Sequence, residues 1–212
     1  MNCLICNSVT QKLEHKEITY YICDKCKFIF KSPNIYPNFQ IQKKRYDLHN
    51  NSEDDINYQI YFSKFLYFIL PVIGRNIKKA LDFGCGKTSL LAKLLNEVDI
   101  KCDYYDPIYH PNNLSIDKKY DLIVSTEVFE HLHNPKEIFA SLVEKIKIGG
   151  YLAIQTSFYP KDIEKFKKWY YHQDHTHIVF FTPHTFKILG DMYGCEIVND
   201  NNINMIVMKR II

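Results

Sequence analysis

The stretch that most constrains this chain is Ala80-Leu-Asp-Phe-Gly-Cys-Gly86. Ala80, Leu81 and Phe83 form a short apolar run that reads as a buried strand, and two glycines close it. Leu90, Leu91, Leu94, Leu95 and Val98 follow at helical spacing. Strand, glycine turn and helix in immediate succession open a doubly wound α/β sheet, whose ligands sit beyond the carboxyl ends of the strands. Glycine is required there because it reaches backbone angles other residues avoid and lets a ligand approach the main chain. The helix beyond presents unpaired N–H groups and a positive dipole end.

Several ligands suit such a turn. A dinucleotide fingerprint needs G-x-G-x-x-G, and Ser89 holds the third glycine's place. A phosphate loop needs G-x-x-x-x-G-K-[ST]; Gly86-Lys87-Thr88 matches its end, but Leu81 stands at its first glycine. S-adenosylmethionine is a third candidate, because Leu81-Asp-Phe-Gly-Cys-Gly86 resembles the first motif of class I methyltransferases, in which an acid on the strand precedes G-x-G. A turn with no ligand is the remaining reading.

The chain has 212 residues, enough for one medium domain with a small appendage. A net charge of +3 does not demand a polyanionic partner. The start, Met1-Asn2-Cys3-Leu4, lacks the basic and apolar regions of a secretory signal. The apolar run from Phe65 to Ile73 is too short to span a bilayer. A soluble, cytoplasmic protein without a membrane partner is expected.

Two C-x-x-C pairs, Cys3/Cys6 and Cys23/Cys26, flank a predicted strand at 18–22, with a return at 27–30. Two such knuckles can close four thiolates around one zinc ion. Four cysteines leave no open position, so the zinc would be structural and would stabilise a segment too small to fold alone. Disulfides and redox thiols are the competing readings.

Residues 32–51 read as a polar linker carrying Lys43-Lys44-Arg45. Ser52 is the expected cap of a helix with Glu53, Asp54 and Asp55 in its first turn. That helix stops near Pro71 and Gly74 and covers the edge of the main sheet. A second sheet strand ends at Asp106, about twenty residues past the glycine turn, where a carboxylate can accept both hydroxyls of a ribose. Asp106 is otherwise a turn former before Pro107. Residues 107–119 are too few for a helix and a strand, so the third strand is expected to be missing or reduced to a loop. Asp117 is the acid left near an adenine. The next strand is 120–125, followed by a helix opened by Asn134-Pro135 and ended by Gly149-Gly150. A strand at 151–156, a helix from Thr182-Pro183 and a hairpin of 195–198 with 205–208 complete the pattern.

In this order, Leu81-Asp-Phe-Gly-Cys-Gly86, Asp106, Tyr120-Asp-Leu-Ile-Val124, Glu127-Val-Phe-Glu-His-Leu132, Asn134-Pro135, Ile148-Gly-Gly-Tyr-Leu152 and the closing hairpin resemble the class I S-adenosylmethionine-dependent methyltransferases. Thr88 departs from the commonest form of their glycine motif, which has a third glycine there. Small bacterial members with an N-terminal zinc ribbon are similar over the whole chain, including stretches like Arg45–Asp55 and Trp169–His177. The resemblance implies a Rossmann-like fold divided into a zinc ribbon (1–32), a linker with helical cover (33–78) and an S-adenosylmethionine-binding domain (79–212). It implies a donor over Asp82, Gly84, Cys85 and Gly86, ribose hydroxyls on Asp106, and Glu127, Val128 and His131 near donor or acceptor. Tyr46, Trp169 and Tyr171 are the expected acceptor contacts.

Two histidine clusters can serve the chemistry. His131 and His133 follow the strand at 120–125, at the ligand-bearing edge. The run Trp169-Tyr-Tyr-His-Gln-Asp-His-Thr-His177 offers His177 as a base and Asp174 as its orienter. It can also be read as metal ligands (His172, Asp174, His175, His177) or as a lid that packs Trp169 and Phe180. Cys85, Cys102 and Cys195 read as buried thiols. The leading function is methyl transfer to a small or medium organic acceptor. The rivals are an RNA base methyltransferase gripping phosphates with the ribbon and Lys43-Lys44-Arg45, and a non-catalytic binding module on a degenerate fold.

Overall fold

A computed structural model describes residues 1–48, 52, 54–113 and 117–212. In chain order the strands are β1 (Gln11–His15), β2 (Ile18–Cys23), β3 (Phe28–Lys31), β4 (Lys79–Phe83), β5 (Lys101–Tyr105), β6 (Tyr120–Thr126), β7 (Ile146–Gln155), β8 (Val179–Phe180), β9 (Cys195–Asp200) and β10 (Met205–Arg210). The helices are α1 (Phe39–Asp47), α2 (Ile56–Ile73), α3 (Leu90–Glu97), α4 (Pro135–Lys145), α5 (Ile163–Lys168) and α6 (Pro183–Tyr193).

Six strands form the main sheet in the order β5-β4-β6-β7-β10-β9. The first four are parallel, and β10 runs antiparallel between β7 and β9. Ala80, Leu81, Asp82 and Phe83 are all buried, as expected of a central strand covered on both faces. On one face α2 and α3 pack Phe65, Ile69, Leu91 and Leu95 against Ala80 and Leu122. On the other, α4 and α6 pack Phe139, Leu142, Phe186 and Leu189 against Leu81 and Ile123. The helix α2 therefore covers a face of the sheet, not its edge, because its ring-bearing stripe is wide enough to reach β7 and β10. Between β5 and β6 the described residues form one bridge, Asp106 to His110, and no strand. The sheet ends at β5, as the short spacing requires.

Three local expectations are corrected. The α2 cap is Asp55, whose carboxylate accepts from the Asn57 and Tyr58 amides, while the Ser52 hydroxyl accepts from the Asp54 amide and its carbonyl from the Asp55 amide. Glu53 lies outside the described residues, and so do three residues of the Arg45–Asp55 stretch, 49–51. The polar stretch at 32–51 is no plain linker, since it carries α1, capped by Asn38. Gly149-Gly150 does not stop α4, which ends at Lys145. Both glycines lie inside β7, at a register shift against β6. A Cβ on Gly150 would press to 2.7 Å from the Asp121 carbonyl, so the glycine serves a strand irregularity.

The smaller sheet, β1-β2-β3-β8, carries Cys23 at the end of β2, with Cys26 in the turn that follows and Cys3 and Cys6 ahead of β1. Its last strand comes from beyond the histidine-rich run: Val179 pairs with Phe30 and Phe180 with Ile29. Phe28, Phe30 and Val179 belong to the same buried cluster as Leu81 and Phe129, so the two sheets share a core. Among the described residues no helix is long and apolar enough to cross a membrane.

Candidate active site

A cavity of about 1170 Å³ opens beyond the carboxyl ends of β4, β5 and β6. One end is built by the turn after β4. Gly84 (φ +78°) and Gly86 (φ +67°) both lie in the left-handed region. A Cβ on Gly84 would collide with Val128, whereas one on Gly86 would meet nothing within 4 Å and would stand in open space. Asp82 is buried and lines the cavity, and its Oδ2 has no hydrogen-bond partner. Burial pushes its carboxyl up to about 7. Asp106 organises the turn: its carboxylate accepts from the Gly86 amide at 3.1 Å and from the Ile108 and Tyr109 amides at 2.8 and 3.0 Å. Cys85 lines the same wall with its thiol raised by burial.

The other end gathers three distant segments. Glu127, itself at φ +53°, accepts the Tyr61 hydroxyl at 2.7 Å and the Tyr171 hydroxyl at 2.9 Å. Burial, followed by the neighbouring Glu130 charge, raises its carboxyl to about 8. Glu130 is fully buried; Thr156 donates to its Oε2 at 2.8 Å, while Oε1 is left without a partner. The imidazoles of His131 and His177 lie 4.8 Å apart. Their Nδ1 atoms reach the carbonyls of Thr176 and Tyr171, each at 2.8 Å, so Nδ1 carries the proton and Nε2 keeps its lone pair. Burial lowers both imidazoles, and the adjacent His131 helps bring His177 down to about 3. Tyr46 on α1 packs its ring 5.1 Å from His131.

Several expected roles change. Asp174 does not orient His177, whose Nδ1 is held by the Tyr171 carbonyl. Asp174 instead accepts from the Thr176 amide and hydroxyl, and from Arg45 at 2.8 and 2.9 Å. Burial alone would raise the Asp174 carboxyl, but these bonds hold it well below the usual carboxylate range. Trp169 does not line the main cavity; it packs on Phe166, Tyr171 and Phe180. His172 is turned into the small sheet, bonded to the Tyr20 hydroxyl, and His175 is exposed, so the four-residue metal reading of that run fails. His133 bonds Gln42 at the rim. Asp117 does not line the cavity. Within Lys43-Lys44-Arg45, Lys43 pairs with Asp47 and Arg45 with Asp174, which leaves a weak basic patch. Tyr61 was missed because its place on α2 reads as core. Arg45 was missed because its segment looks like a linker.

The sequence profile of a methyltransferase domain matches residues 21–200. The chain belongs to that family. No curated protein matches it significantly in sequence. Among solved structures, an O-methyltransferase family protein from Burkholderia thailandensis superposes with a TM-score of 0.54 at 12% identity, covering 80% of this chain and 63% of that one. The N-methyltransferase NodS from Bradyrhizobium japonicum, solved with S-adenosyl-L-homocysteine, gives 0.53 at 13% identity, covering 80% of this chain and 96% of that one. Human N-acetylserotonin methyltransferase, solved with S-adenosylmethionine, gives 0.55 at 12% identity, covering 74% and 53%. The chain thus spans under two thirds of the length of the Burkholderia protein. At these identities the likeness is one of fold.

The methyltransferase domain meets S-adenosylmethionine's needs at the first end of the cavity. An orphaned buried carboxylate oxygen on Asp82 suits an ammonium group, and the open space above Gly86 lets a ligand reach the main chain. Beside the smaller sheet, the cysteine ligand atoms of Cys3, Cys6, Cys23 and Cys26 all lie within 4.8 Å of one another. The sulfurs of Cys3 and Cys26 are 3.4 Å apart and those of Cys6 and Cys23 3.5 Å, too far for disulfides but compatible with four sulfurs around one ion.

Proposed function

We propose that this chain transfers a methyl group from S-adenosylmethionine to a small or medium-sized organic acceptor. The observation that carries the reading is a single cavity with a glycine-turn cradle at one end and a cluster of histidines, carboxylates and tyrosines at the other. Bound in the cradle, S-adenosylmethionine supplies an electrophilic methyl on a sulfonium. Asp82 faces the donor's ammonium, and Gly84, Cys85 and Gly86 hold its amino-acid part against the backbone. With three of its roughly four lone-pair sites spent on amides, Asp106 keeps one for the ribose hydroxyls. Glu127 and Val128 form the wall between donor and acceptor.

Tyr46 and Tyr171 hold the acceptor. His131 and His177 turn their Nε2 lone pairs to it; His131 is the one to take its proton, because burial and the adjacent His131 leave His177 a weak base suited to accepting a hydrogen bond. Asp174 is a positioning residue that ties α1, through Arg45, to the loop bearing His177. Alignment of acceptor and methyl carbon supplies most of the acceleration. Cys3, Cys6, Cys23 and Cys26 hold a structural zinc ion. The chain divides by role into ribbon (1–32), cover (33–78) and donor domain (79–212), with β8 joining the first to the last.

Calorimetric titration with S-adenosylhomocysteine tests the reading. We expect micromolar binding, weakened in Asp106→Ala by on the order of 1–3 kcal/mol, the cost of leaving polar groups poorly paired. No binding by folded, zinc-loaded protein overturns it.

A further inference from the structure

One base is enough to deprotonate an acceptor, yet three lone pairs converge here. A carboxylate oxygen of Glu130 and one ring nitrogen each of His131 and His177 all lie within 4.8 Å of one another. The Nε2 of His131 is 3.8 Å from Oε1 of Glu130. Each imidazole is fixed from behind by a backbone carbonyl on Nδ1, the arrangement that orients metal-binding histidines and sets their tautomer. Glu130 is fixed likewise, with Thr156 on Oε2. Its Oε1 is fully buried and makes no hydrogen bond, although the Tyr171 hydroxyl, which donates to Glu127, and the Glu127 carboxyl stand beside it. A buried carboxylate oxygen without a partner is costly unless a cation or donor arrives.

We propose that Glu130, His131 and His177 bind a divalent transition-metal cation that holds an oxygen of the methyl acceptor. Two imidazoles and one carboxylate suit zinc, manganese, iron or cobalt better than magnesium or calcium, which prefer oxygen ligands. Bonds of about 2.0–2.2 Å require the ligand atoms to draw in by roughly 1 Å at the widest pair. His131 and His177 line the cavity, so the unfilled coordination positions face it. An acceptor hydroxyl held there would give its proton to water, and its oxygen would form the bond to the methyl carbon as the sulfonium's S–CH3 bond breaks, leaving S-adenosylhomocysteine. The class of acceptor is therefore one that methylates on oxygen. The inference rests on the methyl-transfer reading above.

The test uses full-length protein with its four-cysteine site already loaded with zinc. Manganese is titrated in, and free Mn²⁺ is followed by solution electron paramagnetic resonance, because Mn²⁺ does not compete for thiolates. One equivalent is expected to bind in the micromolar range. Glu130→Gln and His177→Gln should each weaken it at least tenfold, and His175→Gln, outside the cluster, should leave it unchanged. Circular dichroism and S-adenosylhomocysteine calorimetry on the same samples report folding and the donor end. Donor binding without any Mn²⁺, Co²⁺ or second Zn²⁺ bound overturns the cation site and leaves His131 as the direct base. Absent donor binding in folded protein overturns the methyl-transfer reading instead.

Discussion

The two ends of the cavity are built in opposite ways. The donor end comes from one short span, β4 through the loop after β5, whose contacts are dictated by neighbouring strands. Gly84 and Cys85 donate their amides to the Tyr105 carbonyl, and Asp106 grips Gly86. The acceptor end is assembled from α1, α2, the β6–α4 loop and the run before β8. Its residues meet only through pairs such as Tyr61 to Glu127, Arg45 to Asp174 and His131 to Thr176. A local motif gives a rigid cradle that one strand-turn-helix can present. A dispersed cluster depends on every element that holds its parts together, including the small sheet.

The largest expected effect exploits that difference. On the proposed zinc site, chelation or replacing Cys26 by Ser would remove the ion that stabilises the ribbon, a structural contribution of about 10–16 kcal/mol in small zinc peptides. Because β8 is a strand of the ribbon's sheet, the loop bearing His177 should lose order. Methyl transfer should fall by more than a hundredfold while S-adenosylhomocysteine still binds within about threefold. Equal loss of both, measured by calorimetry on chelated protein, would show that the two ends are one cooperative unit.

Gly84→Ala attacks the cradle alone. A side chain at φ +78° is strained, and its Cβ would strike Val128. Strain of about 1–3 kcal/mol should weaken S-adenosylhomocysteine by roughly tenfold to a hundredfold. Unchanged calorimetric affinity would place the donor elsewhere. Arg45→Ala attacks the other end. It leaves the Asp174 carboxylate, only 15% exposed, without its cation. A stability loss of about 1–3 kcal/mol in urea unfolding is expected, with donor affinity unchanged. A change in donor affinity would show that α1 also shapes the cradle.

The smallest effect is one of pH. An ammonium needs Asp82 ionised, and burial places that carboxyl at about 7. Donor affinity should therefore be full at pH 8 and fall by about tenfold at pH 6, as protonation competes. Asp82→Asn should bind weakly and without this pH dependence. A wild-type affinity flat across that range, read by calorimetry in matched buffers, would remove Asp82 from the ammonium.

The strand-turn-helix at 79–97, the acid at 106, the absence of a third strand among the described residues and the four-cysteine knuckles were all legible in the chain, because each is a short-range pattern of polarity, spacing or turn chemistry. The apolar run of a doubly covered strand and the positive-φ glycines leave few alternatives. Tertiary structure alone decided that Asp174 belongs to Arg45 and not to His177, that Trp169 packs outside the cavity, and that Tyr61 turns its hydroxyl onto Glu127. The Arg45–Asp174 and Tyr61–Glu127 pairs depend on which segments the fold brings within hydrogen-bond reach across more than forty residues of chain. A side chain's partner at that separation is set by packing of whole elements, which no local pattern encodes.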